Sequence, residues 1–479
     1  MNLQPGNAAA HHADPSNDAS VHIIGAGPAG LTAAYELCKQ GLRPVVLEAS
    51  RETGGISRTV EYRGYHLDIG GHRFYTKVPE IEALWHEVMG TAFLKRPRLS
   101  RIYYDGRFFK YPLEVADALS QLGLRESAHI VLSYLKAQIF PRQPEESFED
   151  WVINRFGARL YETFFRAYTE KVWGISCKQI RADWAAQRIK DLSVLSVVRA
   201  MLFGNRGRVK SLIEEFHYPV LGPGLMWQRF AEEVVRAGGE LRYEQPITRI
   251  EISAGRVVAV QTASGERIPV EQLITSMPLA QLIQALEPAA PPAVLEAAAS
   301  LRYRDFLIVG LILDEPAMFP DNWIYVHSEA VQVGRIQNFK NWSSAMVPDE
   351  ETSCLGMEYF CNEDDELWKK GDAQLIQQAY QELEKLGLRR GARLLDGFVV
   401  RQHKAYPVYD DTYRAALEVI IPYLASIPNL QTIGRNGLHR YNNQDHSMLT
   451  GILAARNILG ESHNLWEVNT ERSYYEIFT

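Results

Sequence analysis

The chain has 479 residues, of which 46% are hydrophobic and 23% are charged, and its formal net charge at pH 7 is −7. This length exceeds what one hydrophobic core normally organises, so a two- or three-domain protein of ordinary globular composition is expected. The negative charge argues against a general affinity for nucleic acid or an anionic membrane, so any anionic substrate would be held by locally placed arginines.

The N-terminal residues 1–19 are small and polar, with no apolar segment and no basic start. They are predicted to form a disordered lead and not a signal peptide. No run approaches the ~18 apolar residues of a transmembrane helix, so no membrane insertion is expected. Four cysteines, Cys38, Cys177, Cys354 and Cys361, lack metal-binding spacing. They are expected to be free thiols in a reducing cytoplasm, and no metal site is predicted.

The first predicted element is the apolar strand VHII, which runs into a glycine-rich turn and a helix. Gly25 permits the tight bend, Gly27 lets the backbone approach a pyrophosphate, and Gly30 lets the helix pack closely on the strand. The helix N-terminus then faces the phosphate charge. A second strand ends on Glu48, 18 residues after Gly30, where a carboxylate can accept ribose hydroxyls. This pattern indicates a Rossmann-type dinucleotide site and fits NAD as well as FAD.

The next segment, RETGGISRTVEYRGYHLDIGGHRF, favours FAD. Gly54 and Gly55 precede Arg58, and an alternating strand leads to Gly70 and Gly71. The segment resembles the FAD-binding superfamily of amine oxidases, protoporphyrinogen oxidases and UDP-galactopyranose mutases. The resemblance implies that the first glycine pair and the arginine lie along the FAD phosphates, and that the second pair passes close to the isoalloxazine ring. Ordinary glycine turns in a hairpin are the alternative.

The rest of the chain divides by its periodicity. Apolar residues at three- and four-residue intervals predict a helical substrate domain over residues 112–215. Residues 20–111, 216–280 and 426–479 are assigned to the FAD-binding domain, and strand-like runs such as DFLIVGLILD predict a substrate-side sheet over 281–425. The predicted fold class is therefore α/β, with a Rossmann-type FAD-binding domain, a helical insert and a second, mainly antiparallel sheet.

Later segments resemble the nucleotide-sugar mutase branch of this superfamily. TEKVWGISCKQIRADWAAQRI is similar to the mutases' KVW segment, and the resemblance puts Arg188 on the substrate side. GRIQNFKNW places Arg335 seven residues before Trp342. This is similar to the arginine and tyrosine that hold the sugar diphosphate in eukaryotic mutases. Tyr406 falls where these enzymes have a phosphate-binding tyrosine.

The closing motif NQDHS resembles a signature of the same branch, with Tyr441 just upstream. It implies that Asp445 lies on the phosphate or ribitol side of the flavin, and that Asn443 and Tyr441 face substrate. The residues predicted to be catalytic, all on the substrate side, are His72, Arg188, Arg335, Tyr406, Tyr441 and Asn443. The residues predicted to bind FAD are Gly25, Gly27, Gly30, Glu48, Ala49, Gly54, Gly55, Arg58, Gly70, Gly71, Ile247, Gly434, Arg435, Asp445 and Ser447.

Three features depart from the mutase pattern. Trp342 stands where a tyrosine is expected, which removes a phenolic hydroxyl. Tyr441 precedes Asn443 by two residues where the mutases have four. Arg73 adds a positive charge next to the second glycine pair.

Plainer interpretations of the site residues also stay open. Arg335 could form a surface ion pair, since most arginines are exposed. Tyr406 and Tyr441 could be core aromatics with satisfied hydroxyls. His72 could simply bind a buried carbonyl.

The sequence has no supported Ser/His/Asp arrangement and no metal cluster, so a cofactor must carry the reaction. The mutase resemblance implies that reduced FAD forms an N5 adduct with the anomeric carbon of a nucleotide-diphosphate sugar, and that the ring re-closes to interconvert pyranose and furanose. Arg188, Arg335 and Tyr406 would bind the diphosphate. NAD(P)H is a candidate reductant, and the sugar, the nucleotide and the oligomeric state stay open.

Two other classes of function remain. The first is an FAD-dependent oxidase or dehydrogenase acting on an amine, a porphyrinogen-like ring or a carotenoid-like substrate. It would have an apolar or aromatic-lined cavity without a paired phosphate clamp. The second is a flavoprotein without catalytic turnover.

Overall fold

The computed structural model of the protein describes residues 20–182 and 215–469. Its first strand, β1 (Val21–Ile24), is buried at all four positions, as the apolar sequence VHII predicts. Within the described ranges β1 is the central strand of a five-stranded parallel sheet. Across this sheet the strands are β20 (Leu430–Thr432), β13 (Gln272–Thr275), β1, β2 (Val45–Leu47) and β9 (Glu240–Arg242).

Three helices share a core beside this parallel sheet: α1 (Pro28–Lys39), α8 (Pro223–Arg236) and α16 (Gln444–Ile458). Helices α1 and α16 approach so closely that a Cβ at Gly451 would lie 2.3 Å from the carbonyl oxygen of Ala29. Only glycine fits at such a contact. Helix α16, near the C-terminus, therefore packs directly against α1.

A helical segment follows the first strands, with its own core of aromatic and aliphatic side chains. It contains α3 (Val115–Leu122), α4 (Leu124–Ile139), α5 (Phe148–Phe156), α6 (Ala158–Leu160), a π-helical turn (Tyr161–Arg166) and α7 (Ala167–Trp173). Helix α5 begins with a capping box, in which the Ser147 hydroxyl accepts a hydrogen bond from the backbone N–H of Asp150 at 3.1 Å.

In the part of the chain that the structure describes, the second large sheet has seven strands. Their order is β19 (Leu394–Pro407), β15 (Tyr303–Leu313), β18 (Ser353–Cys361), β17 (Arg335–Asn338), β16 (Trp323–Val326), β6 (Ser100–Tyr104) and β7 (Arg107–Lys110). All neighbours are antiparallel except β16 and β6. The predicted fold class, with a parallel Rossmann-type sheet and a mainly antiparallel second sheet, is confirmed. The domain boundaries remain predictions.

Smaller elements connect these layers. The remaining strands of the described ranges form two antiparallel pairs and a small mixed sheet: β3 (Thr59–Tyr62) with β4 (Tyr65–Asp68), β5 (Phe93–Pro97) with β8 (Glu215–Pro219), and β12 (Arg267–Pro269), β11 (Arg256–Thr262), β10 (Ile247–Ser253) and β14 (Leu286–Glu287). The other α-helices in the described part of the chain are α2 (Pro79–Met89), α9 (Leu279–Ala285), α10 (Pro292–Ser300), α11 (Phe339–Trp342), α12 (Glu366–Lys369), α13 (Asp372–Lys385), α14 (Tyr413–Ala425) and α15 (Gly434–Gly437).

Two expectations about the chain as a whole can be compared with the structure. All four cysteines are free and buried, as predicted. Among the described residues, no helix combines the length and the apolar character needed to cross a membrane.

Candidate functional site

The glycine-rich turn after β1 leaves bare backbone at the start of α1. Gly25 has a φ of +103°, and a Cβ there would lie 2.1 Å from the hydroxyl oxygen of Ser276. A Cβ at Gly30 would lie 1.9 Å from the carbonyl oxygen of Gly25, so the close packing of helix on strand requires glycine. Gly27 caps α1 without a side-chain hydrogen bond, which leaves the first-turn N–H groups available to an anion.

Glu48 lies directly after β2, against the same turn. Its carboxylate accepts hydrogen bonds from the backbone N–H of Ala26 at 2.7 Å and of Ser50 at 2.9 Å. Ala49, the next residue, is exposed. Ile247, the first residue of β10, packs in the core cluster that includes the last residue of β2. The two backbone hydrogen bonds hold the Glu48 carboxylate at the edge of the glycine turn, where the ribose of a dinucleotide would lie.

The first Gly-Gly pair lies against the glycine turn, where the backbone N–H of Gly54 donates to the carbonyl of Ala26 at 2.8 Å. A Cβ at Gly27 would lie 3.9 Å from the Cα atom of Gly55, and both Gly54 and Gly55 have positive φ values, +97° and +54°. Arg58 donates to the carbonyl of Gly55 and to the amide oxygen of Gln402, each at 2.9 Å, and burial lowers its pKa. Bare backbone on two sides with a guanidinium alongside fits a dinucleotide pyrophosphate.

A cavity of about 320 Å³ lies beside Gly70 and Gly71 and is lined by residues of the helical segment and of the second sheet. Arg188, predicted on the substrate side, lies outside the described residues. Of the residues predicted from sequence, those that line the cavity are Gly70, Gly71, His72, Arg335, Tyr406, Arg435, Tyr441, Asn443 and Asp445.

Two tyrosines and an arginine form one wall of this cavity. The rings of Tyr406 and Tyr441 are stacked, with centroids 5.5 Å apart and an interplanar angle of 16°. The guanidinium of Arg435 lies 4.8 Å from the centroid of the Tyr441 ring. The neighbouring Gly434 has a φ of +79°, and a Cβ there would lie 3.2 Å from the Cβ of Ala29 in α1. The tyrosine wall is thus continuous with the glycine turn.

Arg335 approaches the second glycine pair from β17. A Cβ at Gly70 would lie 3.5 Å from its guanidinium. The guanidinium is paired with Glu358 of β18, whose side chain is completely buried and also accepts a hydrogen bond from Gln337 at 2.8 Å. Burial opposes the charged form of Arg335, but Glu358 and the surrounding tyrosines outweigh it and raise its pKa. Arg335 is a fixed, charged cavity residue, so the surface-ion-pair interpretation is wrong.

His72 is neutral at physiological pH. Burial, together with the nearby guanidinium groups of Arg435 and Arg335, lowers its pKa to about 4. The ring nitrogen Nε2 lies 2.8 Å from the carbonyl oxygen of Ile69. This contact is the buried carbonyl bond that the plainer interpretation expected, although the imidazole also lines the cavity.

The closing motif begins α16. Asn443 is its N-cap and forms a capping box with His446, whose Nδ1 accepts from the backbone N–H of Asn443 at 3.2 Å. Asp445 is buried and accepts from the backbone N–H of His446 at 2.8 Å. Ser447 is also buried, in the first turn, and donates its N–H to the carbonyl of Asn443 at 3.0 Å. The start of α16 therefore faces the cavity with polar groups.

Several buried polar atoms around the cavity have no hydrogen-bond partner among the described residues. They are Trp323 Nε1, His327 Nδ1, Gln337 Oε1 and Gln444 Oε1. Leaving a buried polar atom unsatisfied costs about 1–3 kcal/mol. Four such atoms around one cavity are physically reasonable if a polar ligand binds there.

Strand β16 contributes residues to the cavity lining that were not predicted from the sequence. Trp323 is paired in register with Gln337, and Tyr325 with Arg335, across β16 and β17. All four residues line the cavity. The sequence signal that could have found them is the two-residue spacing of Trp323 and Tyr325, because residues two apart on a strand share a face. The pairing of the two strands could not be read from either segment alone.

Two departures from the mutase pattern, Trp342 and Arg73, have different positions and roles in the structure. Trp342 is buried, donates from Nε1 to the carbonyl oxygen of Asn322 at 2.9 Å, and stacks on Trp323 at a centroid distance of 5.2 Å. Arg73 lines the cavity, where burial and the neighbouring Arg98 lower its pKa. The aromatic residue supports the cavity floor, and the arginine adds a cation to its wall.

Comparison with known proteins gives one family match. Residues 28–396 match the family of flavin containing amine oxidoreductases. Among solved structures, a reduced UDP-galactopyranose mutase superposes with a TM-score of 0.83 at 21% identity, covering 95% of this chain and 98% of that one. This likeness is one of fold.

Curated relatives match over shorter stretches. A probable UDP-galactopyranose mutase of Klebsiella pneumoniae is 27% identical over 178 residues, which are 35% of this chain and 44% of that protein. An L-amino-acid oxidase of Crotalus adamanteus is 29% identical over 167 residues, 34% of this chain and 28% of that protein. The matched segments span less than half of either relative.

Proposed function

The chain belongs to the family of flavin containing amine oxidoreductases, and within it we propose that the chain is a flavin-dependent mutase. It would interconvert the pyranose and furanose forms of a nucleotide-diphosphate sugar. The observation that carries the proposal is the polar, cationic wall of the cavity beside Gly70 and Gly71. Arg335 and Arg435 face it together with the stacked Tyr406 and Tyr441. Guanidinium groups and phenolic hydroxyls are the partners that a diphosphate requires.

The glycine turns and Glu48 would hold FAD at the other end of the site. Their bare backbone, the open start of α1 and the nearby Arg58 fit a pyrophosphate and a ribose. When bound in its reduced form, the flavin would supply a nucleophilic nitrogen for the anomeric carbon. NAD(P)H is the proposed physiological reductant.

The protein's own residues would position the substrate. Arg335, fixed by Glu358, would bind the diphosphate and stabilise its negative charge as it leaves the sugar. The hydroxyls of Tyr406 and Tyr441 would donate to phosphate oxygens. His72, neutral because of its lowered pKa and donating its one N–H to the carbonyl of Ile69, would present its other ring nitrogen as a hydrogen-bond acceptor without adding positive charge. Asn443 at the start of α16 would bind sugar hydroxyls.

An oxidase or dehydrogenase is the second candidate, and a specific part of the cavity favours it. The wall contributed by the helical segment and its neighbours is apolar and aromatic, with Ile102, Leu113, Phe148, Phe164 and Phe165. An L-amino-acid oxidase is also among the relatives. Arg335 would bind the carboxylate of an amino acid as readily as it would bind a diphosphate. The arginine alone therefore does not distinguish the two candidate functions.

The mutase and the oxidase differ in redox stoichiometry, because only the oxidase consumes one flavin oxidation equivalent for each substrate molecule. We expect the dithionite-reduced protein to convert one or more nucleotide-activated hexoses to an isomer that is resolved by anion-exchange chromatography, with no reductant consumed per turnover. The oxidised protein should give no isomer. If a broad panel of such sugars gives no isomer under reducing conditions, and an amine or amino acid bleaches the oxidised flavin with one equivalent reduced per substrate, the oxidase is the correct function.

A further inference from the structure

Helix α2 and strand β8 meet at a surface where three metal-ligating side chains converge. Glu82 and His86 are exposed and lie four residues apart on α2, so they share one face of the helix. His217 is half-buried on β8, and 131 residues separate it from His86 in sequence. One ligand atom of each side chain lies within 4.8 Å of those of the other two. We infer that these three residues form a binding site for a divalent transition-metal ion of the Zn²⁺ class.

The two imidazoles are already oriented toward each other. Their ring centroids are 4.9 Å apart, and their planes are nearly perpendicular, at 87°. Phe93 of β5 holds both rings, since it stacks on His217 at 4.8 Å and packs edge-on against His86 at 5.3 Å. Side chains that are packed in this way lose little further freedom when a metal binds.

The backbone below the site is also fixed. His217 exchanges two backbone hydrogen bonds with Phe74, at 3.0 and 3.1 Å, and lies opposite Lys95 in the β5–β8 pair. Lys95 is paired with Glu215, the first residue of β8. The backbone N–H of Glu82 donates to the carbonyl of Val78 at 3.2 Å. Among the described residues, the Glu82 carboxylate makes no hydrogen bond or ion pair, so it can turn toward an ion.

The donor set selects the kind of ion. Two imidazole nitrogens and one carboxylate oxygen suit Zn²⁺, Cu²⁺ or Ni²⁺, whereas Ca²⁺ and Mg²⁺ require oxygen ligands almost exclusively. Three protein ligands complete a tetrahedral Zn²⁺ site with one water molecule. Zn–N and Zn–O bonds of about 2.0–2.2 Å require the ligand atoms to approach one another further. Rotation of the exposed Glu82 side chain and small adjustments of the two imidazoles against Phe93 can provide this.

Such a metal would clamp one side of the cavity described above. Trp85, next to His86 on α2, lines that cavity, and Phe74 follows the Gly-Gly-His-Arg segment that borders it. A metal that joins α2 to β8 would therefore also stabilise the positions of Trp85 and Phe74 beside the cavity. This inference stands independently of the proposed mutase activity, because it depends only on the geometry of Glu82, His86 and His217.

The test is metal titration of the full-length holoprotein after chelator treatment. The N-terminal lead carries an adjacent pair, His11 and His12, so both are first replaced by alanine to remove a competing ligand. We expect one Zn²⁺ per chain by isothermal titration calorimetry, and a metal-dependent rise in Tm. His86→Ala and Glu82→Gln should weaken Zn²⁺ binding at least about tenfold, since even residues that only support a ligand often account for 10–100-fold.

The control variant is His129→Ala. His129 lies on α4 with Glu126 three residues before it, its Nδ1 3.7 Å from a carboxylate oxygen, and it should leave Zn²⁺ binding and the Tm shift unchanged. His217→Ala also removes a ring that packs on Phe93, so the exposed Glu82 and His86 variants decide the outcome if it does not fold. No Zn²⁺ binding in the His11/His12-free protein, or equal binding in the Glu82, His86 and His129 variants, would overturn the inference.

Discussion

Arg335 and Glu358 lie opposite each other on neighbouring strands, and their side chains form an ion pair at the base of the cavity. The Glu358 side chain is completely buried, and that of Arg335 is 16% exposed. A buried carboxylate needs a cation and hydrogen bonds to offset the loss of water. Gln337 supplies a second bond, so the guanidinium is held at a fixed position facing the cavity.

Replacing Arg335 alone should therefore damage both stability and binding. Arg335→Ala leaves Glu358 buried without its cation, and we expect a loss of about 3–5 kcal/mol in the free energy of unfolding. The double variant Arg335→Gln/Glu358→Gln should recover most of that stability. Both variants should bind nucleotide sugars more weakly by about 1.5–3 kcal/mol, because the charged hydrogen bond to phosphate is lost in each.

Denaturant unfolding and a flavin-perturbation titration measure the two effects separately. The matched control is Arg101→Gln/Asp321→Asn. It removes another ion pair with a fully buried acid, and its arginine lies on β6 of the same sheet, but neither residue lines the cavity. It should leave nucleotide-sugar affinity unchanged. If the Arg335/Glu358 double variant binds nucleotide sugars as the wild type does, Arg335 has a structural role only.

Gly27 provides a test of cofactor binding that backbone strain does not complicate. Its φ of −82° is accessible to any residue, and a Cβ there meets no atom closer than 3.9 Å. Gly27→Val should therefore fold, yet its side chain would cover the bare backbone of the glycine turn beside Gly55, which is the proposed contact surface for the pyrophosphate. We expect the purified variant to lack FAD by its visible absorbance.

The control for this variant is Gly371→Val, at the start of α13, where φ is −67° and the residue is exposed. It should retain FAD at the wild-type level. A yellow Gly27→Val protein with full flavin occupancy would contradict the assignment of this turn. A colourless wild-type protein that does not take up FAD would contradict it more deeply.

The local parts of the fold could be predicted because each has a short-range cause. The strand VHII, the glycine turn and the strand ending at Glu48 are close in sequence, and their residue types have few other physical uses. Arg335 and Gln337 are likewise two residues apart on one strand, so their shared face follows from the strand period.

The long-range parts could not be predicted from single segments. Strands β6 and β7 join the second sheet through a parallel pairing of β6 with β16, which neither segment indicates by itself. That pairing depends on a register between segments over 200 residues apart. The convergence of Glu82 and His86 with His217 is of the same kind. Only the helical spacing of the first two is visible in the sequence.

Three buried histidines predict how stability depends on pH. Burial lowers the pKa values of His72 and His439 to about 4 and that of His327 to about 3, from an ordinary 6.5. The unfolded chain therefore binds protons below pH 6.5 that the folded chain does not. These histidines favour the folded state fully above pH 6.5, and that contribution is lost as the pH falls toward 4.

We expect the Tm to fall between pH 7 and pH 4, and to fall less steeply in His439→Gln, which removes one of these titrating groups away from the cavity lining. The exposed His129→Gln should follow the wild-type profile. Carboxylates also titrate in this range, so the difference between the two variants is the decisive quantity. Identical slopes in both would show that His439 is not held neutral in the folded protein.

The chemistry at the flavin gives the last prediction. A mutase needs a nucleophilic N5, whereas an oxidase needs only a hydride acceptor, and 5-deaza-FAD accepts hydride at carbon but has no lone pair at that position. We expect reconstitution with 5-deaza-FAD to abolish isomerisation of a nucleotide-activated hexose while leaving its binding intact, because the proposed diphosphate site, formed by the cavity residues Arg335, Arg435, Tyr406 and Tyr441, does not involve N5. Binding is measured by displacement of a fluorescent nucleotide, and isomerisation by chromatography of the reduced reaction. Protein reconstituted with native FAD in parallel controls for the exchange procedure. Substrate turnover that survives the replacement, with stoichiometric reduction of the deazaflavin, would instead identify a hydride-transferring oxidase or dehydrogenase.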